Sequence, residues 1–283
     1  MINDKLIYAY NIFRSNIITF ISLIIIIFII IVALLAPYIS PYDPLLTATE
    51  EKLLPPSFKH LFGTDQLGRD ILSRIIYATR IDLYIAVSAV IISFAIGTTI
   101  GSLAGYYSGL IDTIVGRIVD TIMAFPLFVL AMGIVAALGN SVLNIIYATI
   151  IINLPYYIRF SRAEVNIRPY LGYVEAAKLS GNSDYQILFF HIVPNILPPM
   201  MVQISLNMGL SILNAAALSF IGLGIRPPTP EWGIMISNGA VYIVSGEWWI
   251  FFFPGMALTI AVFSFNMLGD GLRDLIDPKS RSL

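Results

Sequence analysis

The sequence predicts an all-α integral membrane protein with six transmembrane helices, and three observations carry that prediction. Of 283 residues, 58% are apolar and only 12% charged, against about 25% charged in an ordinary soluble domain. The mean hydropathy is +0.84, so a water-soluble fold of this length would lack the polar side chains to cover its surface. The charges are clustered, leaving five long charge-free intervals. Those intervals are too uniformly apolar for the alternating strands of a membrane barrel, and backbone groups in lipid must bond within their own segment, so helices follow.

The intervals place the spans. No Asp, Glu, Lys or Arg occurs between Arg14 and Asp43, Asp82 and Asp112, Asp120 and Arg159, Asp184 and Arg226, or Glu247 and Asp270. A spanning helix needs about 20 residues, and each interval is long enough for one. The third is long enough for two, and Gly139-Asn140-Ser141 is a turn signal that divides it. The first half of the fourth interval carries Gln186, His191, Asn195 and the prolines 194, 198 and 199, so only its second half is assigned. The predicted spans are 17–37, 83–106, 119–138, 142–158, 199–221 and 249–269. With both termini cytoplasmic, the inner segments hold ten Lys and Arg and the outer segments six, the bias expected of a multi-pass protein of the cytoplasmic (inner) membrane. The resulting organisation is an N-terminal segment 1–16, a first transmembrane helix 17–37, an extracytoplasmic loop 38–82, and a core 83–283 of five transmembrane helices with a cytoplasmic loop at 160–197. In residues 1–16, Ile2, Leu6, Ile7, Tyr10 and Phe13 can share one face of an interfacial helix; a charged tail is the alternative. The run from Ile17 to Ala36 is too long for the apolar region of a cleaved signal.

Several function classes are excluded. A net charge of −1 gives no global field for nucleic acid. Without cysteine there is no disulfide or thiol chemistry. No G-x4-G-K-[ST], H-E-x-x-H or G-x-S-x-G occurs, so the chain carries no P-loop and no hydrolase signature, and it reads as non-enzymatic. His60 and His191 lie far apart in the sequence with no ligands clustered around either, which argues against a metal site. The spans have no ionisable interior residue, since Asp82, Asp120 and Asp270 fall near predicted ends; this argues against a proton- or sodium-driven carrier.

The remaining candidates are polar or small. Asn153, Asn207 and Asn214 are plausible path-lining groups, Asn207 and Asn214 on one face, with interhelical hydrogen bonding as the alternative. Gly97, Gly101 and Gly105 line one helix face and allow close backbone approach, within the bundle or to a second subunit. Pro126 and Pro155 kink helices or mark their ends. Trp248, Trp249 and Phe251 to Phe253 suggest an aromatic belt at the outer interface. Between the fourth and fifth spans, Tyr173-Val174-Glu175-Ala176-Ala177-Lys178-Leu179-Ser180-Gly181 combines strong helix formers with a glycine stop. It is a short cytoplasmic helix, small on one face, suited either to docking another protein or to linking two spans.

This stretch is where a family resemblance enters. Glu175-Ala176-Ala177-x3-Gly181, followed further along by Pro194, resembles the EAA loop of ABC importer permeases. His191-Ile192-Val193-Pro194-Asn195 is similar to the dipeptide/oligopeptide/nickel branch. So are Leu35-Ala36-Pro37 with Pro41-Tyr42-Asp43-Pro44, the outer-loop run from Phe62 to Arg74, Leu218 to Gly224, Pro227 to Gly233, and Asn266 to Asp274 before Asp277-Pro278. Ala78 and Asp82 depart from that branch, which usually has Gly and Ser there. The resemblance covers about residues 15–280 and points to the C-type permease of a binding-protein-dependent importer with the type I fold. It implies a coupling helix carried by Glu175, Ala176, Ala177, Lys178 and Gly181. It further implies a second homologous permease, two ABC ATPase subunits that bind ATP and Mg, and surrounding membrane lipid. An extracytoplasmic binding protein would dock near 38–82 and 222–247. No cofactor is expected in this chain. Di- or oligopeptides are the implied cargo, with nickel, glutathione or oligosaccharide, or a stand-alone carrier, as alternatives.

Overall fold

A computed structural model describes residues 17–276; the interfacial helix expected in 1–16 lies outside the described residues. Helix α1, Ile17–Ile39, is almost wholly apolar. Helix α2, Ile71–Tyr107, begins where the Asp70 carboxylate accepts from the Ser73 backbone N–H at 2.8 Å and the Ser73 hydroxyl at 2.7 Å. Its 37 residues make a rod about 55 Å long against a hydrocarbon core of about 30 Å. The cap at Asp70 starts the helix about three turns before the expected span boundary at 82/83, so Asp82 lies inside α2.

The expected span 119–138 is not one straight helix. It is built from two helices, α3 (Gly109–Met123) and α4 (Leu127–Leu138), bent by 83°. Pro126, at the break, has no N–H to continue α3 and disfavours helical geometry at the residue before it. Helix α4, with 12 residues, reaches only about 18 Å and cannot cross alone. Helix α5, Val142–Asn166, starts at Ser141, whose hydroxyl accepts from the Asn144 N–H at 3.1 Å, and runs through Pro155 without ending.

A short helix α6, Gly172–Leu179, follows. The chain then turns into a helical turn Asp184–Gln186, a wider π-helical turn Ile187–Ile192, and helix α7, Val193–Phe220. The prolines expected to delay this span do not break it. Pro194 occupies the first turn, where its missing N–H costs nothing, and the π turn before it relieves the crowding of its ring. Helices α8, Trp232–Ala240, and α9, Trp249–Ile276, complete the described chain. Five helical segments among the described residues are long and apolar enough to cross a membrane, and the count reaches six where the bent α3–α4 pair is taken as one span.

Packing follows the small residues. Gly97, Gly101 and Gly105 of α2 face α5: a β-carbon would sit 2.6 Å from Tyr157 Cβ at position 97 and 2.6 Å from the Arg162 carbonyl at position 105, and at position 101 it would overlap Ser161 and Ile158. With little hydrophobic drive between helices in lipid, this contact is dispersion made possible by missing side chains. Helices α7 and α9 are held by the Ser205 hydroxyl donating to the Phe265 carbonyl at 2.7 Å and by Gly209 lying under Asn266. Salt bridges from Arg162 to Asp112 and from Arg159 to Asp120 tie α3 to the end of α5.

Candidate coupling surface and outer cap

Helix α6 is split by environment. Val174 and Ala177 are buried, whereas Tyr173, Glu175, Ala176, Lys178 and Leu179 are exposed, Leu179 at 90%. Val174 joins the packed core that contains Ile187, Leu188 and Ile192 of the π turn and Ile196 of α7, all at or near zero exposure. The helix ends in a Schellman motif: Gly181 N–H donates to the Lys178 carbonyl at 3.0 Å and Asn182 N–H to the Ala177 carbonyl at 3.2 Å, with Gly181 at φ +80°. The next helical turn begins on a capping box in which the Ser183 hydroxyl accepts from the Gln186 N–H and the Gln186 side-chain oxygen accepts from the Ser183 N–H. Beside α6 lies a pocket of about 580 Å³, with Tyr106 of α2, Asn166 of α5, Tyr170, Glu175 and Lys178 among its lining residues. The Tyr106 hydroxyl donates to Asp184 at 2.8 Å across this end of the bundle.

The three asparagines read as path candidates divide. Asn153 of α5 donates to the Ser211 hydroxyl of α7 at 2.8 Å and is buried, so it joins two helices. Asn207 is also buried; it accepts from Gln203 at 3.2 Å, and its amide lies beside the Tyr157 hydroxyl. Of the three, Asn214 is the one partly exposed.

At the other end the loop 40–70 folds into a cap that sequence reasoning missed. His60 is 3% exposed with Nδ1 2.9 Å from Asp70 Oδ1 and Nε2 3.0 Å from Glu51 Oε2. Lys59 also pairs with Glu51, and together Lys59 and His60 hold that carboxyl below its ordinary value. Asp65 accepts from Arg69 Nε at 2.7 Å and lies 3.6 Å from Arg74 Nε. Arg74 Nη1 in turn donates to the carbonyls of Pro44 at 2.8 Å and Pro228 at 3.3 Å. The arginine thus ties α2 to the loop 40–70 and to the segment before α8. Trp249 is not part of an interfacial belt: it is buried and its indole N–H donates to the Thr64 carbonyl at 3.3 Å, while Phe253 stacks on Phe62 with centroids 4.1 Å apart. Trp248 and Phe252 remain exposed beside them.

The segment leading into α8 closes onto α2 through a buried acidic pair. Glu231 caps α8, accepting from Gly233 and Ile234 N–H groups at 2.8 Å each. Asp82 Oδ2 accepts from Trp232 N–H at 3.2 Å, and the two carboxyls neighbour each other. Burial pushes the Glu231 carboxyl up. The resemblance to a branch with Ser at position 82 was the only sequence signal here, since the partner lies far along the chain, at the start of α8.

A bundle of five to six spans with a short exposed helix between α5 and α7 can now be set beside known proteins. Residues 97–282 match the family profile described as the binding-protein-dependent transport system inner membrane component. The chain belongs to that family. Residues 7–56 match a second profile, the N-terminal TM domain of oligopeptide transport permease C. Among curated relatives, the dipeptide transport system permease protein DppC of Alkalihalophilus pseudofirmus is 42% identical over 274 residues, 97% of this chain and 90% of that protein. The di/tripeptide transport system permease protein DppC of Pseudomonas aeruginosa is 41% identical over 256 residues, 88% and 84%. The glutathione transport system permease protein GsiD of Pectobacterium atrosepticum is 42% identical over 252 residues, 89% and 83%. The protein is a multi-pass inner-membrane permease subunit of a binding-protein-dependent importer, with the type I permease fold.

Proposed function

We propose that this chain forms one half of a path for short peptides and that α6 is the lever through which ATPase subunits drive it. The observation that carries this reading is the division of α6: an exposed face of Tyr173, Glu175, Ala176, Lys178 and Leu179, and a buried face of Val174 and Ala177 keyed into the base of α7. Close-packed interiors transmit displacement rather than absorb it, so a push on α6 reaches α7 and, through Ser205 and Gly209, α9. Two ATPase subunits supply the push on binding ATP and Mg. A second homologous permease completes the path, and both termini lie in the cytoplasm. An extracytoplasmic binding protein delivers cargo to the cap made by the loops 40–70 and 222–247. Short peptides are the cargo because the relatives similar over most of this chain carry dipeptide and di/tripeptide names; glutathione, itself a small peptide, is a second reading favoured by the Pectobacterium relative.

The test is reconstitution of the complex in liposomes with its binding protein, measuring labelled dipeptide uptake and ATP hydrolysis together. Glu175→Lys is expected to lower uptake at least tenfold, either by losing the ATPases or by freeing hydrolysis from transport. Uptake equal to wild type would overturn the assignment of α6.

A further inference from the structure

Asp82 is 1% exposed and Glu231 0%, and each belongs to a different wall of the outer end: Asp82 to α2, Glu231 to the N-terminus of α8. The donors around them are few. The backbone N–H groups of Trp232, Gly233 and Ile234 each take one oxygen, and the Ser219 hydroxyl serves Glu231. Asp82 Oδ1 is buried with no donor facing it. Among the described residues no cation compensates. On α2, Arg74 is about two turns away and committed to Asp65 and to the carbonyls of Pro44 and Pro228, while Arg80 is exposed. Helix α8 has no titratable residue, α7 from 193 to 220 has none, and α9 from 249 to 269 has none. In the loops flanking α8, Arg226 is exposed and Glu247 is partly exposed. Two adjacent carboxylates without a counter-ion cannot both be charged in such a site; one proton between them supplies the missing donor and removes the repulsion.

We infer that Asp82 and Glu231 together form a one-proton binding site, and that the proton they share clasps the outer-loop helix α8 onto α2. The clasp matters because α8 is pressed home elsewhere: Gly233 lies so close to α7 that a β-carbon would sit 2.6 Å from Ala216 Cα, and Gly239 is equally tight against Ile250. A second negative charge at the pair would push apart surfaces with no slack. The sign follows from linkage. The native pair holds a proton that the unfolded carboxyls release, so the seat of α8 is fully stable below the ordinary carboxyl range. It weakens as pH rises toward the pair's native value, by up to about tenfold per pH unit for one proton.

The chain has no cysteine, which permits a clean probe on the assembled complex in lipid nanodiscs. Met235 of α8 is 6% exposed and Val244 beyond it 96%. Labelling of Met235→Cys by a membrane-impermeant maleimide, normalised to Val244→Cys to remove the thiol's own pH dependence, is expected to rise between pH 5 and pH 9. Adding Asp82→Asn, which supplies an amide donor without a titratable proton, is expected to abolish the rise. The infrared difference spectrum at pH 7, wild type minus Asp82→Asn, is expected to show the carbonyl stretch of a protonated carboxyl; Glu231→Gln serves if Asp82→Asn does not assemble. Absence of that band, a pH response unchanged by Asp82→Asn, or protection that follows sodium or potassium rather than pH would overturn the inference.

Discussion

Gly181 offers a test in which the backbone can be separated from the side chain. Its φ of +80° closes the Schellman motif at the end of α6, and a β-carbon built there meets nothing within 4 Å. No clash within the chain contributes to the cost of substitution. What remains is the left-handed backbone itself, about 1–2 kcal/mol for an ordinary L-residue and more for a β-branched one. That energy corresponds to a roughly 5–30-fold loss in the population of the formed cap. Gly181→Asn should cost least, because asparagine tolerates this conformation; Gly181→Ala should be intermediate and Gly181→Val worst. The assay is the yield of ATPase retained on the purified complex, together with peptide uptake in liposomes. The expected order is wild type, Asn, Ala, Val in both. Asparagine as harmful as valine would mean that bulk against a partner, not backbone geometry, sets the requirement. Valine equal to wild type would refute the argument that the stop holds α6 in place.

Two further substitutions probe the bundle, beside those at Glu175 and Asp82. Gly101→Val drives a branched side chain into Ser161 and the Ile158 backbone, so α2 and α5 must part; a destabilisation of about 1–3 kcal/mol is expected, read as a lower midpoint of thermal aggregation in detergent, and an unchanged midpoint would show that the contact yields freely. Asn153→Leu removes the bond to Ser211, worth about 0.6–2 kcal/mol within a membrane. Because Asn153 is sealed between helices, competition among peptides for uptake should be unaltered; a changed preference would return Asn153 to the path.

Legibility in the sequence followed the range of the forces involved. The spans were visible because lipid imposes one rule on every residue of a segment about 20 residues long, and Asn140 and Ser141 marked the break between α4 and α5 with local turn chemistry. Helix α6 and its Gly181 stop were visible for the same reason, capping being a matter of adjacent residues. Boundaries set by a polar cap inside a loop were less legible. Asp70 starts α2 where the charge pattern pointed to Leu83, since charged residues 74, 80 and 82 look like a loop until the 40–70 cap folds around them. The sharp bend at Pro126 could be suspected but not distinguished from a kink.

Hydropathy and local motifs were thus enough to establish a helical membrane bundle without a P-loop sequence, carrying one short exposed helix that a family resemblance named. Which polar residues meet was settled only by packing. His60 with Glu51 and Asp70, Asn153 with Ser211, and Asp82 with Glu231 are pairings that no local pattern announces. The physical reason is that burial is collective. A charge at position 82 reads as the end of a span until α8 arrives over it, and an asparagine reads as path lining until a neighbouring helix supplies its hydrogen bond.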